Sequence, residues 1–327
     1  MRVWPALLGV TALAVAGAGT GVAVTWTPER TQYLHDAYVA WAEPIPDDVA
    51  AIARATGMSE FGELVYRAST PAVEDDDAFV QHCPLEGGAV LGCYANGDIY
   101  VYAVTDSRLA GTVEVTAAHE MLHAAYERLT REERERVDAL VDAAVARLPE
   151  DHPVFADIAH YAAPQLASEW HSRLGTEFAG LDPELEAHYA RYFDDRSLVV
   201  ALNEQATALF REIQARIEEL VAEIEELDPI LDARIARYER TLDAFNADVA
   251  AFNRRAETGG FSSLAQFEAE RAVLVDRSER LEAERTAIDR QIAHYNDLVA
   301  ELTELDTDYA ELYSALDARD GAETVDP

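Results

Sequence analysis

The sequence predicts an α+β domain, mostly helical with a small sheet, followed by a long antiparallel α-helical coiled-coil hairpin. Three observations predict it. The run DIYVYAVT (Asp98–Thr105) is rich in β-branched and aromatic residues and follows the turn pair Asn96-Gly97, which marks a strand. Capped helical segments stand on both sides of it. From about Ser197 to Leu316 apolar residues recur at alternating steps of three and four, the spacing of a coiled-coil seam.

Composition sets the outer limits. Of 327 residues, 49% are apolar, so a sizeable core can form. Acids outnumber bases 62 to 26, for a net charge of −36, and every base is arginine. Such a surface repels nucleic acid and anionic headgroups, which argues against nucleic acid as a partner. The two cysteines, Cys83 and Cys93, lie in CPLEGGAVLGC. They read either as a short-loop disulfide, contributing roughly 2–3 kcal/mol, or as free thiols, according to compartment.

At the N-terminus, Val3 to Trp26 is uncharged and mostly apolar, preceded by Arg2. A spanning helix needs about 20 such residues. The run is long for the 7–15-residue core typical of a cleaved signal, so a retained transmembrane anchor over residues 1–26 is favoured. The small-residue stretch Ala14–Gly21 leaves a cleaved signal open, and a buried core helix is the third reading. The first two place the bulk of the chain outside the cytoplasm: anchored to the cell membrane by a single pass, or secreted.

Residues Thr27 to Ala78 lean towards helix without nameable chemistry. After the strand, Thr116 reads as the N-cap of a helix from Ala117 to about Leu129. Thr130 and Glu133 have capping-box spacing before Val137, Leu140, Val141 and Val145. Pro164 marks the start of a helix and Gly175 its stop. Asp182-Pro183 opens another, through about Phe193. A domain over 27–196 results. In the seam, Phe210, Ile213, Ile217, Leu220, Ile224, Leu227 and Leu231 precede a stutter beside Pro229, where a kink is expected. The pattern breaks at Glu257–Ser263, where paired glycines make a turn, and resumes from Leu264 through Leu281, Ile288, Ile292, Tyr295, Val299, Leu302 and Leu312. The hairpin thus covers 197–318, and 319–327 reads as a disordered acidic tail.

The chemistry lies in His119-Glu120-Met121-Leu122-His123. On a helix, residues i and i+4 share a face, so both imidazoles can bind one metal ion. Glu120 is placed to take a proton from an activated water. Zinc, which lowers the pKa of such a water, is inferred from the ligand types, although iron or manganese also fit two histidines and a carboxylate. With 9 histidines in the chain, a chance match remains the bland alternative, and the helical context and small flanking alanines count against it.

This segment resembles the zincin metallopeptidases, in which a strand runs beside the substrate and the HExxH helix supplies two zinc ligands. Tyr126 and Leu129 stand where the elongated zincin motif has its glycine and third histidine. The resemblance therefore points to the gluzincin-like branch, whose third ligand is a glutamate on a later helix. The blocks GCYANGDIYVY, TAAHEMLHAAYERL and EWHSRLGTEF also resemble uncharacterised membrane-anchored bacterial proteins assigned as metallopeptidases, over about Phe79 to Arg196. The resemblance implies a zincin-like catalytic domain with Zn2+ as cofactor and Glu120 as catalytic base. Glu169, mid-helix in ASEWHSRL, is favoured as third ligand over Glu177, because rigid elements hold ligands better than turns. The two lie about 80° apart on a continuous helix, so both would not easily reach one ion. His160 and His171 are weaker ligand candidates. His171, Tyr189, His160 and Tyr161 are also candidates for stabilising a tetrahedral oxyanion, though ordinary packing is the commoner role for each.

The expected function is hydrolysis of peptide bonds in a peptide or protein substrate. A different class of reading makes the coiled coil the working part, a structural or interaction module that binds a partner or self-associates. A third keeps the metal chemistry but directs it at another amide or ester, including a cell-wall crosslink.

Overall fold

The computed structural model describes residues 28–83, 89–159 and 161–319. In chain order come α1 (Pro28–Ala42), α2 (Asp47–Ala55), α3 (Glu60–Ala68), β1 (Ala72–Glu74), α4 (Asp76–His82), β2 (Gly92–Ala95) and β3 (Asp98–Tyr102). A short 3₁₀ turn then leads into α5 (Thr112–Glu127), α6 (Arg131–Val145), α7 (Val154–Asp157), α8 (Ala163–Glu177) and α9 (Pro183–Tyr189). Two long helices, α10 (Ser197–Glu257) and α11 (Leu264–Ser314), complete the described chain. The molecule is mostly helical, with one small sheet and a long C-terminal helical region.

The sheet has the order β1-β3-β2. β1 pairs parallel to β3 through Ala72 and Tyr100, and β2 pairs antiparallel through Cys93 and Tyr100. Asn96 and Gly97 both have positive φ, 57° and 98°. That is the mirror-image turn whose twist suits a two-residue hairpin, and it explains why Asn-Gly sits there. The expected strand ends at Tyr102 rather than Thr105, and the short β1 and β2 were not foreseen.

α5 runs through the centre of the main core. Ala117, Ala118, Met121, Leu122 and Ala124 are fully buried, and Ile99, Val101, Leu174, Tyr189 and Val199 belong to the same cluster. The helix starts at Thr112, five residues before the expected Ala117. Gly111 enters it with φ 100° and no side-chain cap, a conformation only glycine adopts without strain. Thr116 is therefore buried mid-helix and is not the cap. Thr130 behaves as expected: its hydroxyl accepts from the Glu133 amide while the Glu133 carboxylate accepts from the Thr130 amide.

Gly175 does not stop α8, which continues to Glu177. It is instead a point of close approach. A Cβ there would lie 2.3 Å from Leu122 Cδ1 and 2.8 Å from Tyr189 Cε1, both on fully buried side chains. Replacing a helical glycine by alanine gains roughly 1 kcal/mol of helix propensity, whereas overpacking a closed core costs typically 1–3 kcal/mol. With neighbours this near, packing wins. Gly175→Ala is expected to lower stability by up to about 2 kcal/mol in denaturant titration; an increase would show that the α5–α8 contact is looser than described. Asp182 precedes α9, but its carboxylate pairs with Arg147 rather than capping, and α9 ends at Tyr189, short of Phe193.

Cys83 and Cys93 form a disulfide with 5.8 Å between Cα atoms, tying the end of α4 to β2. Disulfides persist in oxidising surroundings. Cys83 is buried with Phe79 and Ala318, so the chain beyond α11 returns to the sheet. Asp317 is buried and paired with Arg319; the rest of the expected tail, 320–327, lies outside the described residues.

α10 runs unbroken through Pro229. Its buried residues Ile213, Leu220 and Leu231, with Leu281, Ile288 and Leu312 of α11, are seam positions. Val299, expected in the seam, is exposed, and Leu298 is buried in its place. Ion pairs Arg216–Glu301, Arg234–Glu284, Asp248–Arg277 and Arg255–Glu270 bridge the two helices.

The membrane expectation is corrected. Its proposed span, Val3 to Trp26, lies outside the described residues, and among the described residues no helix is long and apolar enough to cross a membrane. A single-pass membrane protein held by an N-terminal helix is therefore not supported, nor is the localisation built on it.

Candidate metal centre

α5 and α8 pack against each other, and this contact assembles the site. His119 and His123, one turn apart on α5, bring their Nε2 atoms to 3.0 Å. From α8, Glu169 points one oxygen at both: Oε2 lies 3.6 Å from His119 Nε2 and 3.4 Å from His123 Nε2. Glu169 is 4% exposed, so its charge is shielded from solvent and committed to this neighbourhood.

These three distances test whether a metal fits. Metal–ligand bonds of about 2.0–2.1 Å at tetrahedral angles put neighbouring ligand atoms roughly 3.3 Å apart. The observed edges, 3.0, 3.4 and 3.6 Å, fall on both sides of that value. Glu120 also belongs to the cluster, since one donor atom from each of His119, Glu120 and His123 lies within 4.8 Å of the others. The group His119, Glu120 and His123 could hold a metal ion. The Glu169 oxygen lies closer to both imidazoles than that limit and completes a tighter triangle.

The electrostatics agree with a cation-binding centre. Burial alone would raise the Glu169 carboxyl pKa, but the adjoining imidazoles of His119 and His123 outweigh it and hold the group well below the usual carboxylate range. Burial disfavours the charged form of His119, yet Glu169 overrides that and raises its proton affinity. Glu120 is raised by burial, partly offset by the two imidazoles. Gly92 leaves room for its carboxylate: a Cβ at Gly92 would stand 3.0 Å from Glu120 Oε1. The edge strand β2 is thus fitted to the Glu120 side chain.

Two supporting contacts were not foreseen. His123 Nδ1 lies 2.7 Å from Ser168 Oγ. With Nδ1–H donating there, the Nε2 lone pair is left facing the cluster, the usual way an outer partner fixes a ligating tautomer. The second is Arg173, whose Nε donates to Glu169 Oε1 at 2.8 Å. Both flank Glu169 in sequence, and the Glu169–Arg173 spacing of four was a legible ion-pair signal.

The remaining expected residues fall elsewhere. Glu177 ends α8 and pairs with Arg173 at 3.3 Å; it is a helical residue, not one beyond the helix. His171 is fully buried, its Nε2 2.8 Å from His188 Nε2. Tyr189 is fully buried too, donating to the His171 carbonyl at 2.7 Å. Neither can touch a molecule in the cleft. Two residues along α8 from Glu169, His171 faces about 200° away. His160 lies outside the described residues. Tyr161 does line the cleft, together with His119, Glu120, His123, Glu169 and Tyr94. Burial, then the nearby Glu169 charge, push its phenol up to about 12, so it keeps its proton at neutral pH.

The cleft measures about 1180 Å³, enough for several residues of an extended chain. No family model, curated protein or solved structure matches the chain, so what its function is rests on this centre.

Proposed function

We propose that the chain is a zinc-dependent peptidase of zincin-like build, with His119, His123 and Glu169 as metal ligands and Glu120 as general base. The observation that carries this is the Glu169 oxygen placed 3.4 and 3.6 Å from the two imidazoles of an HExxH helix. Two imidazoles and one carboxylate are a donor set of catalytic zinc, leaving one position for water or substrate. A divalent ion held there supplies Lewis acidity, polarising a water and a carbonyl.

The chain's own groups divide the remaining work. Glu120 takes the proton of the attacking water and returns it to the departing amine; burial raises its proton affinity, the direction a proton acceptor needs. Tyr161, protonated and in the cleft, can donate to the oxygen that becomes negative as the carbonyl is attacked. Arg173 stays on the far side of Glu169, away from the reacting atoms.

A peptide substrate is favoured by the edge strand. The Tyr102 amide donates to the Leu91 carbonyl, so in this antiparallel register Cys93 bonds to β3 while the backbone groups of Gly92 and Tyr94 face outward. An extended peptide can pair along such an edge. The test uses a pool of unrelated peptides and mass-spectrometric detection of new termini. Cleavage is expected, lost on chelation and restored by zinc; a reconstituted protein that cleaves none would sink the peptidase reading and favour another amide.

A second reading concerns α10 and α11. Partner numbers rise along α10 as they fall along α11, which supports an antiparallel coiled-coil hairpin. At 1.5 Å per residue it would reach roughly 80 Å. We assign 27–196 to catalysis and 197–318 to this arm, suited to engaging a protein partner or a second copy. The first turns of α10 also serve the catalytic core, through Val199.

A further inference from the structure

We infer that Arg173 is a positioning residue that sets the metal affinity of the centre by fixing the rotation of the Glu169 carboxylate. The inference rests on Glu169 being a metal ligand, as proposed above.

Glu169 divides its two oxygens. Oε2 faces both imidazoles, and Oε1 accepts the Arg173 Nε–H at 2.8 Å. The terminal torsion of a glutamate is broad and holds no strong preference of its own. An external partner is therefore needed to keep one oxygen on the ion and the other off it. Arg173 supplies that partner from one helical turn away, and its planar guanidinium fixes direction as well as charge.

The guanidinium is itself held in place. Its NH1 group lies 3.3 Å from Glu177 and 3.7 Å from Asp157, so two further carboxylates clamp it from the side away from Glu169. This gives Glu177 a place in the centre: it anchors the residue that anchors the ligand. Three carboxylates thus surround one guanidinium, and Arg173 keeps its place whether or not a cation occupies the imidazole side.

Charge and geometry make opposite predictions, which renders the inference decidable. If Arg173 acted through its charge alone, it would repel a nearby cation, and its removal would tighten metal binding. If it acts by orienting Glu169, removal loosens binding; loss of an outer partner of a ligand typically costs 10–100-fold in affinity.

The experiment measures zinc dissociation constants of the full chain by competition with a chromophoric chelator, and the visible spectrum of the cobalt-substituted protein. Arg173→Met is expected to weaken zinc binding about 10–100-fold and to alter the cobalt bands, while Arg173→Lys recovers part of the affinity. Unchanged or tighter binding in Arg173→Met would overturn the inference. Should that variant fail to fold, Arg173→Lys decides alone: a several-fold loss is expected, and wild-type affinity overturns it. Glu169→Gln is measured alongside. If it binds zinc as the wild type does, the ligand assignment itself fails; if it loses zinc while Arg173→Met does not, only the positioning role fails.

Discussion

Glu120→Gln is expected to lower kcat by about 10²–10⁴-fold, the range a positioned general base contributes, while the protein should still bind one equivalent of metal. The two effects separate because the side chain has one task. Glutamine keeps the shape that fits against Gly92, where the backbone leaves space beside Glu120 Oε1. It cannot accept the proton of the attacking water. KM should move little, since the Gly92–Tyr94 edge proposed to take the substrate is untouched. Stopped-assay kinetics together with metal analysis check this. Full activity in Glu120→Gln would remove the base from the mechanism; loss of metal would instead make Glu120 a ligand, an arrangement its place beside His119 and His123 allows.

Truncating each candidate third ligand separates two glutamates that the sequence leaves in competition. Glu169→Ala should reduce zinc affinity by more than about 100-fold, beyond what an outer partner costs, because it withdraws the oxygen facing both imidazoles. It also leaves Arg173 with only Glu177 and Asp157. Glu177→Ala should weaken zinc less than about tenfold, since its carboxylate pairs with Arg173 rather than with the two imidazoles. The reverse ranking, read from metal content after dialysis, would show that α8 turns on metal binding and presents its last residue.

The parts of the centre legible in the sequence are those fixed by helical spacing. His119 and His123 share a face because they are four residues apart, and no tertiary knowledge is needed to say so. The preference for Glu169 rests on a rigid mid-helix position; α8 carries it there but carries Glu177 as well, so position rather than rigidity separates the two. The same periodicity applied to His171 turns it away from the cleft, so register rather than residue type decides its place. The role of Gly175 is hidden in the sequence for a deeper reason. A glycine near a helix end can be a stop or a place where another helix comes close, and only the approach of Leu122 and Tyr189 decides between them. The Thr116 cap failed because Gly111, in a left-handed conformation, starts the helix earlier. β1 and β2, of three and four residues, lack the length for a local signal and exist by pairing with β3. An Asn-Gly turn does require a strand before it as well as after, so β2, which carries the Glu120 contact, was within reach.

The most direct measurement is anomalous diffraction at the zinc edge from crystals of the reconstituted full chain. One strong peak is expected on α5 and α8, about 2.0–2.2 Å from His119 Nε2, His123 Nε2 and a single Glu169 oxygen, with Arg173 still on the other. A peak coordinated by Glu120 or Glu177 in place of Glu169, or no peak at the two histidines, would contradict it.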